Sequence, residues 1–396
     1  MPKPPRPRIA VLSPFIDKRH GTERCIAEQI ERLAKTFEIH LYSSRVADID
    51  LTNIVWHRVW IPPGPHLFGF LWWLFANRLC RFWHRLRGLR PDLIYSPGIN
   101  CFDADLISVH VLFTNVRKQF ANAKRASSSP SRSWLQTLHL RIYYWLLAVL
   151  EKRVYSNKRI TLVAVSQKTA GELRQIFRRD DPVEVIYHGV DCAEFSPARR
   201  QALRRDARMA LRLDDDVFVV LLIGNDWRNK GLPCVLDAAG KLRKPSIHVL
   251  VVGEDSPRPY DELIEKLNLK SQVSFPAPRN DVEFYYSAAD VYVGPSLEDT
   301  FSLPPAEAMA CGLPAITTRA AGVSEIIHDG VDGVILENPL DSDTLSNWLE
   351  RLLNDLSLRK QIGDAATKTA ALYTWDKNAH QLQIIMEKLL PEKGKN

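Results

Sequence analysis

Short apolar runs alternate with stretches of helical spacing along this chain, and that alternation limits the fold more than any other feature. Residues 8–14, 38–43, 93–95, 106–109, 161–165 and 184–187 read as strands. A helix is expected over 21–34, and Ser166 is placed to cap another. A second series starts at Val217 (VFVVLLI) and continues with a helix over 232–241 and a strand over 247–252 (IHVLVV). It goes on through a helix over 260–267 and strands over 273–275, 291–293 and 315–317. Strand–helix alternation repeated twice predicts an α/β chain with two Rossmann-like parallel-sheet domains. A length of 396 residues suits two domains. Ligands of such domains collect at the C-terminal ends of the strands, so the two are expected to face across a cleft that holds the active site.

Composition narrows the function. The chain is 45% hydrophobic and 25% charged, which is ordinary for a globular protein. Six cysteines are scattered without a C-x-x-C pair, which argues against a zinc framework or disulfides and fits a reducing compartment. The opening PKPPRPRIAVLSPFIDKR reads as a first strand rather than a signal peptide. No run of about 18 apolar residues reads as a membrane span. Charge is uneven: residues 1–180 hold 29 Lys and Arg against 13 Asp and Glu, and the remainder 24 against 33. The basic half is expected to face an anionic surface, and no recognition motif points to nucleic acid. Within it, LFGFLWWLFA (67–76) runs into NRLCRFWHRLRGLR. Trp72 and Trp73, followed by Arg78, Arg81 and Arg85 at i, i+3 and i+7, read as an interfacial membrane helix with an arginine stripe. WLQTLHLRIYYWLLAVL (134–150) reads as a packed helix, with membrane contact as the other reading, and 121–133 as an exposed, mobile loop.

The densest chemical signal is PSLEDTFSLPPAEAMACG, residues 295–312. It reads as a strand end, a polar loop and a short helix with two prolines in its first turn. A helix N-terminus with its loop N–H groups forms an anion site. Asp299 and Glu307 flank it, with Glu298 adjacent. This stretch resembles the donor-site signature of retaining family 4 glycosyltransferases, two acids eight positions apart in a frame like PSxxEGFGLxxxEAMACGxP. Asp299 stands at the position of the first acid, with Glu298 as the alternative after a one-residue shift, and Ser302 stands for a usual glycine. GNDWRNKG (224–231) is similar to the family's Gly-Arg…Lys-Gly loop: Lys230 matches, Asn225 follows Gly224, Arg228 substitutes for the displaced arginine, and Trp227 would close one wall. Gly21 opens a loop similar to the family's Gly-Gly-x-Glu-Arg, and His110 resembles the histidine lining its donor and acceptor site.

The resemblance implies a GT-B fold. Residues 1–182 would form the acceptor-binding domain, completed by a final helix over 376–396, and 183–375 the donor-binding domain. It implies that Lys230 and Arg228 meet the donor diphosphate, Glu307 the ribose and Asp299 the transferred sugar. Thr300, Phe301, Ser302 and Leu303 would add backbone N–H groups, and Arg279 would reach the base. No cofactor or metal is expected: two fixed cations stabilise the departing diphosphate. Asp103 and Asp105 keep a minor cation reading. The implied activity is retaining transfer of a hexose from a nucleoside-diphosphate sugar, UDP-linked before GDP-mannose. Its acceptor would be a glycolipid or lipopolysaccharide-type hydroxyl at the cytoplasmic membrane face. GNDWRNKG and RNDVEF look most like lipopolysaccharide core glucosyltransferases. The alternatives are a nucleotide-sugar epimerase of the same fold, and a decayed membrane-associated binding protein.

Overall fold

The computed structural model describes residues 6–19, 21–123 and 134–393, and the chain divides into two compact units. The first contains the strands β1 (Arg8–Leu12), β2 (Phe15–Ile16), β3 (Glu38–Ser43), β4 (Arg45–Val46), β5 (Ile54–Arg58), β6 (Leu93–Pro97), β7 (Leu106–Val109), β8 (Thr161–Ala164) and β9 (Glu184–Val185). Its helices are α1 (Gly21–Leu33), α2 (His66–Leu86), α3 (Phe113–Ala123), α4 (Trp134–Tyr155) and α5 (Gln167–Phe177). Seven strands form one parallel sheet in the order β5-β3-β1-β6-β7-β8-β9, with β2 and β4 paired beside it. Ser166 caps α5, accepting from the Thr169 N–H as its position predicts. Of the loop expected over 121–133, residues 124–133 lie outside the described residues and 121–123 close α3.

The second unit contains α6 (Pro197–Leu211), β10 (Phe218–Ile223), α7 (Leu232–Leu242), β11 (Ile247–Val252), α8 (Asp261–Lys266), β12 (Val273–Ser274) and α9 (Glu283–Ala288). It continues with β13 (Val291–Val293), α10 (Leu303–Ala310), β14 (Ala315–Thr318), β15 (Val334–Leu336), α11 (Ser342–Asn354) and α12 (Leu356–Ala370). Its parallel sheet runs β12-β11-β10-β13-β14-β15. Val220, Leu222, Val249 and Val251 from the central strands are buried against Leu345 and Leu349 of α11. This core on β10 and β11 lies just below the C-terminal loops of the sheet.

The boundary between units falls after Gly189 instead of after 182, because β9 pairs with β8 and belongs to the first sheet. α13 (Trp375–Lys393) also belongs to the first unit, so Trp375, expected in the second, opens it. There Leu382, Ile385 and Met386 join Ile9, Val11, Ile26 and Ile30 in one core, and Gln29 of α1 donates to Asn378 at 2.9 Å. Residues 394–396 of the expected terminal helix lie outside the described residues.

Candidate active site

In the second sheet the strand order reverses at β10, which lies between β11 and β13. Parallel sheets leave a crevice at such a point, above the strand C-termini. The loops 224–231 and 295–302 emerge there, from β10 and β13 respectively. They are stitched together: Leu297 N–H donates to the Asn229 carbonyl at 2.7 Å, and Asn229 Nδ2 to the Glu298 carbonyl at 2.8 Å. Glycine is required where they touch. Gly231 has φ +83°, and a Cβ there would sit 2.3 Å from the Pro295 carbonyl oxygen.

That contact brings two expected site residues together. Lys230 Nζ lies 2.5 Å from Asp299 Oδ2 and 3.4 Å from Ser302 Oγ, with both charged groups largely enclosed. Asp299 is held from behind, since its backbone bridges to Ala321 and Phe301 accepts from the Val323 N–H at 2.8 Å. Ser302 precedes α10 with φ +77°, a conformation that L side chains adopt only under strain, which explains why glycine suits this position. Pro304 and Pro305 occupy the first turn of α10 and have no N–H, so fewer helix donors face the crevice than a generic N-terminus supplies. Leu303 and the loop residues Thr300, Phe301 and Ser302 carry the remaining amide groups there.

Glu307 is on α10 and 6% exposed, and Tyr286 donates to its Oε2 at 2.7 Å. Burial, followed by the Glu307 charge, holds the Tyr286 phenol well above its ordinary pKa. Tyr292 is raised by burial too, then by Asp299 and Glu307, so it lies near both acids. Sequence reasoning missed these two tyrosines, and the available signal was a Tyr inside each of the apolar segments YYSAAD and VYVG.

The remaining expected residues divide. Gly224 packs beside the Lys230 stem, with 3.0 Å from its would-be Cβ to Cε. Asn225 is exposed and accepts from the Glu254 N–H at 2.9 Å. Arg228 is half-buried and close enough to Tyr260 to act on its charge. Arg279 is engaged by Asp281 at 2.7 Å and lies 4.1 Å over the Phe284 ring. Trp227, expected as a wall of the site, is instead buried in the core, 5.2 Å from Phe275.

Gly21 and His110 belong to the first unit. Gly21 starts α1, and His110 is buried, accepting or donating at Ser108 Oγ (2.9 Å) and stacked on His188 with ring centres 5.2 Å apart. Burial, then His188, depresses the His110 pKa well below its ordinary value. Asp103 grips Arg81 with two 2.8 Å bonds, and Asp105 accepts from the Ile94 N–H, so both have protein partners in place of a cation.

The expected arginine stripe on α2 is corrected by that pairing. Arg81 is only 10% exposed and faces inward to Asp103, whereas Arg78 and Arg85 are exposed. Trp73 is fully buried and donates to the Asn100 carbonyl at 3.1 Å, so it has no surface to offer. Trp72 is half-buried against Trp60. The exposed face of α2 is instead Phe68, Leu71, Phe75, Leu79, Phe82, Trp83 and Leu86. No described helix is long and apolar enough to cross a membrane.

Comparison with known proteins agrees with this architecture. Residues 19–194 match the family model "Glycosyltransferase Family 4" and residues 204–369 "Glycosyl transferases group 1". A curated relative, D-inositol 3-phosphate glycosyltransferase of Corynebacterium urealyticum, is 29% identical over 260 residues, 62% of this chain. The match spans only 61% of that relative's length. The crystal structure of WaaG, a glycosyltransferase involved in lipopolysaccharide biosynthesis, has a TM-score of 0.75 at 18% identity, covering 95% of this chain and 99% of that one. Anabaena HepE in complex with UDP-glucose gives 0.68 at 20% identity, with 96% and 99% covered. With a glycosyltransferase family model on each half and the two parallel-sheet units of the GT-B fold, the chain belongs to the family 4, group 1 glycosyltransferases.

Proposed function

We propose that the protein transfers a hexose, with retention, from a nucleoside-diphosphate sugar to an acceptor hydroxyl. UDP-sugar is favoured as donor and GDP-mannose comes next. The observation that carries this reading is the Lys230–Asp299 pair, set above the β10/β13 switch point beside the α10 N-terminus and Glu307. On donor arrival the ammonium exchanges Asp299 for the diphosphate, and the carboxylate turns to a sugar hydroxyl. Arg228 adds a second cation, Gly224 lets the backbone approach the phosphates, and Asn225 and Arg279 border the nucleotide. Glu307, positioned by Tyr286, takes the ribose. As the bond from the anomeric carbon to the phosphate oxygen breaks, the acceptor oxygen bonds to that carbon from the same face. Its proton passes to the leaving phosphate, and Lys230 with the loop N–H groups stabilises the charge that develops. The UDP-glucose complex of the HepE structure supports the choice of donor.

His110 and Gly21 are assigned to the acceptor-binding unit, where the buried, uncharged imidazole shapes a wall. For the acceptor we infer a glycolipid or lipopolysaccharide-type molecule reached at an anionic membrane surface. The support is the exposed aromatic and aliphatic face of α2, with Arg78 and Arg85 beside it. A second reading, a soluble phosphorylated polyol, is favoured by the name of the curated relative.

Calorimetry with UDP-, GDP- and ADP-sugars in EDTA tests the donor site. Micromolar binding of one donor, with turnover reduced about 10²–10³-fold in Lys230→Ala, is expected. No binding by folded protein overturns the proposal. Co-sedimentation with anionic vesicles, lost in Phe82→Ser/Trp83→Ser, separates the lipid acceptor from the soluble one.

A further inference from the structure

Among the described residues, the single group of three side chains able to ligate one metal ion lies wholly inside the first unit. Cys25 comes from α1, His110 follows β7 and His188 follows β9, so three distant segments meet near the C-terminal side of one parallel sheet. All three residues are buried, and one ligand atom from each lies within 4.8 Å of the other two. Cys25 Sγ and His188 Nδ1 are already 3.2 Å apart.

We propose that Cys25, His110 and His188 bind one divalent ion of the zinc class, with a fourth coordination position left open. Nitrogen and sulfur donors without a carboxylate favour such an ion over Mg²⁺ or Ca²⁺. Tetrahedral Zn²⁺, at about 2.0 Å to nitrogen and 2.3 Å to sulfur, sets its ligand atoms roughly 3.3–3.6 Å apart. The Cys25–His188 edge, at 3.2 Å, is within a few tenths of an ångström of that spacing, and the His110 ring, stacked parallel to His188 with centres 5.2 Å apart, must turn for its Nδ1 to face the ion. Its orientation has outer support of the kind metal-bound imidazoles use: Nε2 meets Ser108 Oγ at 2.9 Å, which meets the Tyr95 hydroxyl at 2.7 Å. Tyr95 in turn donates to Gln29 at 2.8 Å, and Gln29 to Asn378 of α13. Ligation through Nδ1 leaves this chain intact.

Cysteine ligates as the thiolate, so binding exchanges the Cys25 thiol proton for the ion and releases it to solvent. The ion would join α1, the end of β7 and the segment leaving β9.

Co²⁺ is the probe. Full-length protein is stripped with a chelator and titrated while absorbance and proton release are followed. One equivalent, a thiolate-to-cobalt charge-transfer band and one proton released per ion are expected. Cys25→Ala and His188→Asn should abolish the band and weaken binding more than roughly tenfold, with fold checked by circular dichroism. If Cys25→Ala does not fold, Cys25→Ser replaces it. Cys101→Ala, another buried cysteine of the same unit, should keep the band. Absence of binding to folded wild type, or a band unchanged in the Cys25 variant, overturns the site and leaves a hydrogen-bonded core cluster. Donor binding in EDTA reads the second unit separately.

Discussion

Gly231→Ala tests whether the loops of the proposed donor site are pressed together as described. Two costs apply. An L residue at φ +83° costs about 1–2 kcal/mol. The new Cβ would also meet the Pro295 carbonyl oxygen at 2.3 Å and its carbon at 2.9 Å, both backbone atoms. The loops must part by about 1 Å against the Asn229 hydrogen bonds, an overpacking cost of about 1–3 kcal/mol. The sum is about 2–5 kcal/mol. For a unit of this size that lowers Tm by roughly 4–20 °C. Gly330→Ala is the control: φ is +73° and no atom lies within 4 Å of its would-be Cβ, so only the conformational cost remains, about 1–2 kcal/mol. Urea denaturation of both variants, read at the second unit's transition, measures the difference. Donor affinity should fall in Gly231→Ala and hold in Gly330→Ala. Equal destabilisation of the two would refute the contact, and with it the account of how Lys230 reaches Asp299.

Ser302→Gly should raise stability by about 1 kcal/mol in the same assay, since glycine adopts φ +77° without strain and only a 3.4 Å contact to Lys230 is lost. Tyr286→Phe removes the donor to a buried carboxylate and should cost about 1.5–3 kcal/mol at neutral pH, together with donor affinity, measured by denaturation and calorimetry. His57 supplies a pH test. Burial, then His84 and His40, lower its pKa to about 4, below that of the free imidazole. The unfolded chain therefore binds more protons between the two values, and stability falls as pH drops from about 6.5 toward 4. After discounting for its half-exposed position the loss is about 1 kcal/mol. His57→Gln should flatten the urea midpoint across that window, and an unchanged slope would place the titration elsewhere.

Much of the second unit was legible. Runs such as VFVVLLI, short and rich in β-branched residues, read as a buried strand, and the spacing of Asp299 and Glu307 survives folding because one helix and one tight loop carry it. What escaped has physical causes. β5 carries exposed Val55 and Trp56 at a sheet edge, so it lacks a buried apolar run. α6 is rich in arginine because Arg204 and Arg208 turn inward to Asp290, which hides its packing face from an apolar-period reading. Arg81 and Trp73 share a cause. On a helix as apolar as α2, periodicity does not say which side meets the protein, and the partners Asp103 and Asn100 are more than twenty positions away. Trp227 followed the same logic, its ring claimed by Phe275 from another strand end.

The order of segments along the chain bears on how the molecule is made. Residues 190–374 are inserted between the body of the first unit and the helix that completes its core. During synthesis the second unit emerges whole and can fold while the first still lacks Leu382, Ile385 and Met386. Until α13 is made, Ile26 and Ile30 of α1 have no cover from that side. The order of completion is thereby reversed: the sheet translated first is the one whose core is finished last.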